Sequence, residues 1–188
     1  MRICGGQYRG RKLNTPTSDH IRPTSDKVRQ ALFNMLESRN LVRDKIVLDG
    51  FCGTGALGLE SLSRGATFCT FIDKDRRSIK TCSQNVEMLG INDQAHIIQS
   101  DTSKIKINPT PDKKADLIFL DPPYNMGLID HAIQALEKGN WISDEAIYVV
   151  ESEKSFTLSD VSDTSWTVVQ EKIYKDTKIM ILEKKETS

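Results

Sequence analysis

Four consecutive residues, Asp121-Pro122-Pro123-Tyr124, combine a carboxylate, two rigid prolines and an aromatic ring directly after the apolar run 115–120. The run predicts a strand, and ligands of open α/β sheets bind beyond the carboxyl ends of strands. Two prolines fix the backbone, so these groups are held in one arrangement. Asp121 and the Pro122 carbonyl can accept hydrogen bonds from an exocyclic amino group while the Tyr124 ring stacks on a planar base. The pattern predicts group transfer to a nucleobase nitrogen.

A glycine-rich segment, Gly53-Thr54-Gly55-Ala56-Leu57-Gly58, follows a second apolar run and precedes a stretch with helical periodicity. Asp73 stands about twenty residues further on, as in the GxGxxG pattern of nucleotide-binding βα units. Glycines at these positions let the backbone approach a ligand closely, so the segment predicts a nucleotide-like cofactor. The alternative is that the glycines only permit close packing of helix on strand.

Three aspartates at predicted strand ends favour S-adenosylmethionine over a nicotinamide dinucleotide as that cofactor. Asp49 stands just before the glycine segment, where a carboxylate repels a pyrophosphate but attracts the ammonium of a methionine moiety. Asp73 suits ribose hydroxyls in either case, and Asp101 adds an acceptor for an adenine amino group. Aspartate is also a common helix cap or turn residue, and that alternative applies most readily to Asp101.

The elements that must position these groups alternate between strand and helix. Residues 24–36 predict an amphipathic helix capped by Thr24 or Ser25, and the alternation that follows predicts a parallel sheet covered on both faces. Near the end, 166–174 and 177–183 are separated by too few residues for anything but an antiparallel hairpin. A mostly parallel sheet that ends in such a hairpin resembles the Rossmann-like class I methyltransferase architecture. The other predicted strands are 45–49, 67–72, 95–99, 115–120 and 146–150, and the other predicted helices are 56–63, 74–89 and 128–138.

Charge is distributed unevenly along a chain of 188 residues whose formal net charge is zero. Residues 1–45 carry ten Lys and Arg against four acids, a net +6, and the remainder carries −6. A basic arm on an acidic body predicts a polyanion-binding appendage beside a catalytic domain, although a solvated charged surface is the simpler alternative. We expect two parts: a basic N-terminal hairpin and extended RNA-binding arm over 1–23, and a catalytic domain over 24–188.

Composition excludes several other classes of protein. The four cysteines, Cys4, Cys52, Cys69 and Cys82, are widely spaced, so neither a zinc site nor a disulfide framework is expected. No apolar run is long enough for a membrane span, and the first twelve residues do not resemble a secretory signal. We therefore expect a cytoplasmic protein without a metal.

The chain resembles the bacterial 16S rRNA guanine-N2 methyltransferases, the RsmD family. The segments 48–60, 71–76 and 121–124 carry the methyltransferase part of this resemblance. The segments 6–13 (GQYRGRKL), 22–29 (RPTSDKVR) and 31–36 (ALFNML) look like that family and not like methyltransferases in general. The resemblance spans nearly the whole chain. It implies methylation of the exocyclic N2 of one guanine in small-subunit rRNA, on an assembled or partly assembled subunit, by a monomer.

The resemblance also implies roles for individual residues. Asp121, Pro122 and Tyr124 are the expected catalytic group, with Pro123 and Tyr124 against the flipped guanine. Two departures stand out, since Cys52 replaces a usual alanine and Asp73 a common glutamate, but both substitutions preserve size or function closely enough for cofactor binding. The expected RNA contacts are Arg9, Arg11, Lys12 and Arg22. The expected cofactor contacts are Asp49, Phe51, Cys52, Gly53, Thr54, Gly55, Asp73, Lys74, Asp101, Thr102 and Asp121.

Guanine N2 is a poor nucleophile, because its lone pair is delocalised into the ring. We expect Asp121 and the Pro122 carbonyl to accept hydrogen bonds from its two hydrogens and so to direct the lone pair at the methyl group. Three other functions stay open: a DNA methyltransferase acting on adenine N6 or cytosine N4, a nicotinamide-dependent oxidoreductase, and a non-catalytic RNA-binding module. A DNA enzyme usually carries a target-recognition region, and the chain has no room for one after Tyr124.

Overall fold

The computed structural model describes residues 1–15, 26–123, 127–157, 165–174 and 177–185. Within them strands and α-helices alternate, except that only a short 3-10 helix separates the third strand from the fourth and that the last three strands follow one another. The expected caps Thr24 and Ser25 lie outside the described residues. The helices are α1 (Asp26–Ser38), α2 (Ala56–Ser63), α3 (Arg76–Leu89) and α4 (Leu128–Lys138), and the strands are β1 (Ile46–Gly50), β2 (Phe68–Asp73), β3 (Ala95–Gln99), β4 (Ala115–Leu120), β5 (Ile142–Glu153), β6 (Trp166–Tyr174) and β7 (Thr177–Lys184).

These strands form one sheet in the order β3-β2-β1-β4-β5-β7-β6. The first five are parallel to one another, whereas β7 runs antiparallel to both β5 and β6. The order reverses between β1 and β4, which is the point where ligands bind in doubly wound sheets. The predicted fold is confirmed: a Rossmann-like class I methyltransferase sheet that finishes in an antiparallel hairpin.

The two faces of the sheet bury different helices. Leu117 and Phe119 of β4 pack with α1, α2, α3 and the N-terminal residues, while Ile118 and Leu120 pack with α4. Successive side chains of a strand point to opposite faces, so a strand buried on both sides is apolar throughout. The strands that end at the ligand-binding edge of the sheet are therefore packed against a hydrophobic core on each face.

The N-terminal segment, residues 1–15, forms a hairpin, but its strand pairing is shorter than the sequence predicts. A single antiparallel bridge joins Arg2 and Lys12, and a turn occupies the residues between. The reason is that the backbone of this turn bonds to α2, where Gln7 N donates to the Ser63 carbonyl at 2.8 Å. In the part of the chain that the structure describes, no helix is long and apolar enough to cross a membrane.

Candidate active site

The site is built where β1 and β4 end beside each other. Asp49 pairs in register with Phe119 of β4 and Phe71 of β2, so its carboxyl group lies at the centre of this edge. The residue is 2% exposed, and its Oδ2 accepts a hydrogen bond from Gly58 N at 2.9 Å. Burial raises the pKa of Asp49 to about 8, with the negative Asp73 adding to the shift. A buried carboxyl group with one neutral partner is suited to a cation.

The glycine loop, residues 51–55, connects β1 to α2 and bonds to the end of β2. Cys52 N donates to the Ile72 carbonyl at 2.9 Å, and Gly55 N donates to the Cys52 carbonyl at 2.7 Å. Phe51 has a φ of 68°, a left-handed conformation that costs a side chain about 1–2 kcal/mol. Gly53 also has a positive φ, of 53°, and a Cβ there would meet no atom within 4 Å. The loop thus presents bare backbone to open space, as close approach by a ligand requires.

Asp73 holds this loop in place. Its Oδ2 accepts a hydrogen bond from Gly53 N at 2.8 Å, and its Oδ1 accepts one from Asp75 N at 2.8 Å. Each carboxylate oxygen has a second lone pair, so these bonds leave acceptor capacity for ribose hydroxyls. Lys74 follows as an exposed residue. Asp73 therefore holds the glycine loop in place and also keeps acceptor capacity at the edge of the site.

Asp101 acts as a cap, the alternative that the sequence left open. Its Oδ1 accepts hydrogen bonds from Ser103 N at 3.0 Å and Ser103 Oγ at 2.6 Å, at the start of a short 3-10 helix, Thr102–Lys104. The Ser103 hydroxyl bond lowers the pKa of Asp101. Thr102 lies against the end of β1, and its buried Oγ1 has no hydrogen-bond partner among the described residues. A buried hydroxyl in that state fits a ligand that bonds to it.

Asp121 begins the segment after β4 and faces two other carboxyl groups. Burial raises the pKa of Asp121 well above its ordinary value, and the negative charges of Glu151 and Asp49 raise it further. Glu151 stands on β5 just past the pairing of Leu120 with Val150. Carboxyl groups from three adjoining strands therefore meet at one edge. Among the described residues no group of three or more His, Cys, Asp and Glu side chains could hold a metal ion.

The remaining residues of the tetrapeptide differ in exposure. Pro122 is buried and Pro123 is exposed, so the prolines lead the chain out from the sheet to the surface. Tyr124, predicted to stack on the base, lies outside the described residues. An acidic edge, a bare glycine loop and a rigid proline pair suit a ligand that carries positive charge, next to a second ligand with an amino group.

Comparison with known proteins decides the family. A family model described as "Conserved hypothetical protein 95" matches residues 1–183. The chain belongs to this family.

The chain is 39% identical to "Ribosomal RNA small subunit methyltransferase D" of Escherichia coli strain K12, over 92% of the chain and 84% of that protein. It is 36% identical to the protein of the same name from Haemophilus influenzae, over 92% of the chain and 88% of that protein. The solved structure "Putative methyltransferase yhhF from Escherichia coli" covers 100% of the chain, and the chain covers 99% of it, with a TM-score of 0.81 and 34% identity. The predicted family resemblance and enzyme class are confirmed, and the protein is a methyltransferase.

In this methyltransferase three of the basic residues expected to bind RNA lie on the N-terminal segment, outside the group of carboxyl residues. Arg9, Arg11 and Lys12 are exposed on the N-terminal segment. The turn of that segment bonds to the last turns of α2, whereas its two ends reach the glycine loop, Met1 through Thr54 Oγ1 and Asn14 through Asn85. The basic residues thus belong to a segment that is bonded to α2 and connected to the glycine loop. Arg22 lies outside the described residues.

Sequence reasoning missed two groups of residues in the methyltransferase. Glu151 follows the predicted end of a strand by one position, so the rule that identified Asp49, Asp73 and Asp121 could have found it. Buried polar residues on α2 and α3, Glu60 and Asn85, also escaped notice, because an acid or amide on a helix is normally solvated. No local signal reveals that these two face other parts of the chain.

Proposed function

We propose that this methyltransferase transfers a methyl group from S-adenosylmethionine to the exocyclic N2 of a guanine in small-subunit ribosomal RNA. The observation that carries the proposal is the meeting of Asp49, Asp121 and Glu151 at one sheet edge, because an amine substrate and a cationic donor both need carboxyl groups there. The names of the relatives support ribosomal RNA as the substrate.

The donor fits the residues of the glycine loop and its surroundings. When bound, S-adenosylmethionine supplies a methyl group on a positively charged sulfur. Asp49 would hold its ammonium, Asp73 its ribose, and Asp101 with Thr102 its adenine. The backbone of 51–55 and Lys74 complete the set. The bare Gly53 backbone and the unpartnered Thr102 hydroxyl are the features that such a ligand satisfies.

Asp121 and its neighbours act on the guanine. The Asp121 carboxylate and the Pro122 carbonyl accept hydrogen bonds from the two N2 hydrogens, which holds the nitrogen lone pair toward the methyl group. N2 forms the new bond to carbon, the sulfur keeps the electron pair of the old one, and one N2 proton leaves to Asp121 or to water. Pro123 and Tyr124 face the base, which has to leave its stack to reach this depth.

The N-terminal arm, residues 1–23, contributes affinity for the polyanion. Arg9, Arg11, Lys12 and Arg22 provide positive charge that neutralises phosphates without reading bases. An assembled or partly assembled small subunit suits this mode of binding, since it displays a fixed RNA shape. The enzyme acts as a cytoplasmic monomer, which sedimentation of the purified protein tests.

The decisive experiment is methyl transfer from radiolabelled S-adenosylmethionine to small subunits that lack the modification, with genomic DNA as the alternative acceptor. We expect label in 16S rRNA alone, and mass mapping of the labelled fragment to find one N2-methylguanine. Label in DNA would instead favour the adenine-N6 or cytosine-N4 enzyme. Donor binding without transfer to either acceptor would contradict the proposal.

A further inference from the structure

Asn85 of α3 is a fully buried amide that joins two distant parts of the chain. Its Oδ1 accepts a hydrogen bond from Asn14 N at 2.7 Å, and its Nδ2 donates to the Asn14 carbonyl at 3.2 Å. The same Nδ2 donates to the Thr54 carbonyl at 3.0 Å. The side chain is 0% exposed and all three bonds go to backbone groups. It fixes the position of two main-chain segments at once.

One of these segments is the glycine loop. Thr54 lies between Gly53 and Gly55, and its own side chain is 6% exposed. The loop turns there through two glycines with positive φ, 53° and 81°, whose backbone is intrinsically less restrained than that of other residues. The Thr54 carbonyl is tied to α3 by Asn85, and the loop backbone beside it is the surface offered to the donor.

The other segment is the C-terminal end of the N-terminal hairpin. Asn14 closely follows Arg11 and Lys12, and its backbone N–H and carbonyl are both bonded to Asn85. The far end of the hairpin is held separately by α2: Ser63 Oγ donates to the Gly5 carbonyl at 2.5 Å, and Tyr8 N donates to Ser63 Oγ at 3.0 Å. The segment is therefore connected to the glycine loop by three routes: the hydrogen bonds of Asn85, the contact of Thr54 Oγ1 with Met1 Sδ at 3.7 Å, and the body of α2. Asn85 is the one of these that bonds to the backbone of both parts.

We propose that Asn85 is a positioning residue that couples the donor-binding loop to the N-terminal RNA-binding segment. This inference rests on the proposed function. Because one amide sets both backbones, ordering of the segment by RNA also orders the Thr54 carbonyl, and ordering of the loop by the donor also orders Asn14. Coupling of this kind is reciprocal: each ligand tightens the other by the same factor.

Calorimetry of donor and rRNA binding to the full chain tests this, each ligand with and without the other. In the native protein we expect each ligand to tighten the other by about fivefold or more. In Asn85→Ala the factor by which each ligand tightens the other should fall by at least half, since only the contact of Met1 with Thr54 and the body of α2 still join the two parts. Donor affinity without RNA should weaken by about three- to tenfold through loss of a buried hydrogen bond. Hydrogen exchange of the protein without ligands should show faster exchange at Asn14 N in the variant.

The matched control is Val86→Ala, which empties core volume at the next position of α3 and removes no hydrogen bond to the loop or the segment. This variant should lower the free energy of unfolding and retain the factor by which each ligand tightens the other. Asn14→Pro is a second variant, useful if Asn85→Ala does not fold, because it removes the N–H that Asn85 Oδ1 accepts and keeps the bond of Asn85 to the Thr54 carbonyl. It should lower the factor by which each ligand tightens the other and change donor affinity without RNA less than Asn85→Ala does.

The possible outcomes separate the two proposals. A native protein that binds neither donor nor rRNA contradicts the proposed function. A native protein that binds both without mutual effect contradicts the role of Asn85 alone. Equal loss of this mutual tightening in Val86→Ala and Asn85→Ala would assign Asn85 to general stability and overturn the inference.

Discussion

At the scale of single residues, the proposed role of Asp49 makes donor binding depend on the ionisation of this group. The pKa of about 8 lies far above the ordinary 3.8, so the folded protein holds a proton on Asp49 that the unfolded chain has lost. The contribution of this group to the free energy of unfolding is therefore full below about pH 4 and disappears as the pH rises through 8. The proton stabilises the free protein, and a cation has to displace it.

We therefore expect donor affinity to rise with pH, by up to about tenfold per unit, until it levels off near pH 8. Binding at pH 7 should release a proton, because a bound ammonium favours the ionised carboxylate. Titration calorimetry in buffers of different ionisation enthalpy measures that release. Asn at position 49 keeps an acceptor for Gly58 N but cannot ionise, so Asp49→Asn should bind weakly and release no proton from this site. Affinity that stays flat between pH 6 and 8 would contradict this role.

The proposed task of Asp121 at the same edge is different, because it would face the acceptor base. Asp121→Ala should lower the single-turnover rate of methyl transfer by about a hundredfold or more, as loss of a residue that orients or deprotonates the nucleophile does. Donor affinity, measured by calorimetry, should change little. Glu145→Gln, at an exposed residue near the start of β5 and away from the site, is the control, and it should retain the native rate. An Asp121→Ala enzyme with a native rate would remove this residue from the mechanism.

At the scale of elements, docking of the N-terminal hairpin on α2 depends on Gly6. Its φ is +74°, and a Cβ there would lie 1.8 Å from the Ser63 carbonyl oxygen. Gly10 has a similar φ of +85° with nothing within 4 Å, so it is a matched control. Each alanine costs about 1–2 kcal/mol for the left-handed backbone, but only Gly6→Ala forces the turn off α2.

We expect Gly6→Ala to reduce the free energy of unfolding by at least about 2 kcal/mol more than Gly10→Ala, through the clash and the lost Gln7–Ser63 hydrogen bond. Urea unfolding measures both variants. Gly6→Ala should also weaken rRNA binding, since the basic side chains lose their fixed position. Equal stabilities would show that the hairpin does not depend on this contact.

The elements themselves were largely predictable from sequence, and their longer-range contacts were not. Residues 56–63, 95–99, 115–120 and 128–138 form the predicted helices and strands, because their periodicity and their glycine or proline boundaries are local signals. The strand predicted at 146–150 extends over 142–153 because pairing with β4 and β7 lengthens it. The site carboxylates after β1, β2 and β4 followed from the rule for strand ends.

Other features depend on tertiary contacts that no local pattern encodes. Glu60 is 0% exposed on α2, where it accepts hydrogen bonds from Cys4 N at 2.7 Å and Gly5 N at 2.8 Å and pairs with Arg64 at 2.8 Å. Asn85 is similar on α3. Both bond to a segment more than fifty residues earlier in the chain, so their roles appear only once the hairpin is folded onto the helices.

At the scale of the whole molecule, charge is separated in space as well as along the sequence. The acidic edge carries Asp49, Asp121 and Glu151, while the exposed bases of the N-terminal segment lie beside α2 on one face of the sheet. We expect the exposed bases to attract RNA along that face. The Asp49 carboxyl group becomes negative only when the donor displaces its proton, and the ammonium of the donor then neutralises that charge. Neither ligand therefore repels the other at this edge, as the proposed mutual tightening through Asn85 requires.

This separation makes a prediction about salt. Replacing Arg9, Arg11 and Lys12 together by alanine should weaken rRNA binding and lower the slope of log K against log salt by about 2 to 3, since each lost phosphate contact removes about 0.7–0.9. Donor affinity without RNA should not change, because none of the three side chains contacts the glycine loop. A matched variant removes Lys106, Lys113 and Lys138, exposed lysines near the start of β4 and the end of α4. Its salt slope should equal that of the native protein, so a smaller slope in this control would place the RNA on the α4 side and not along the N-terminal segment.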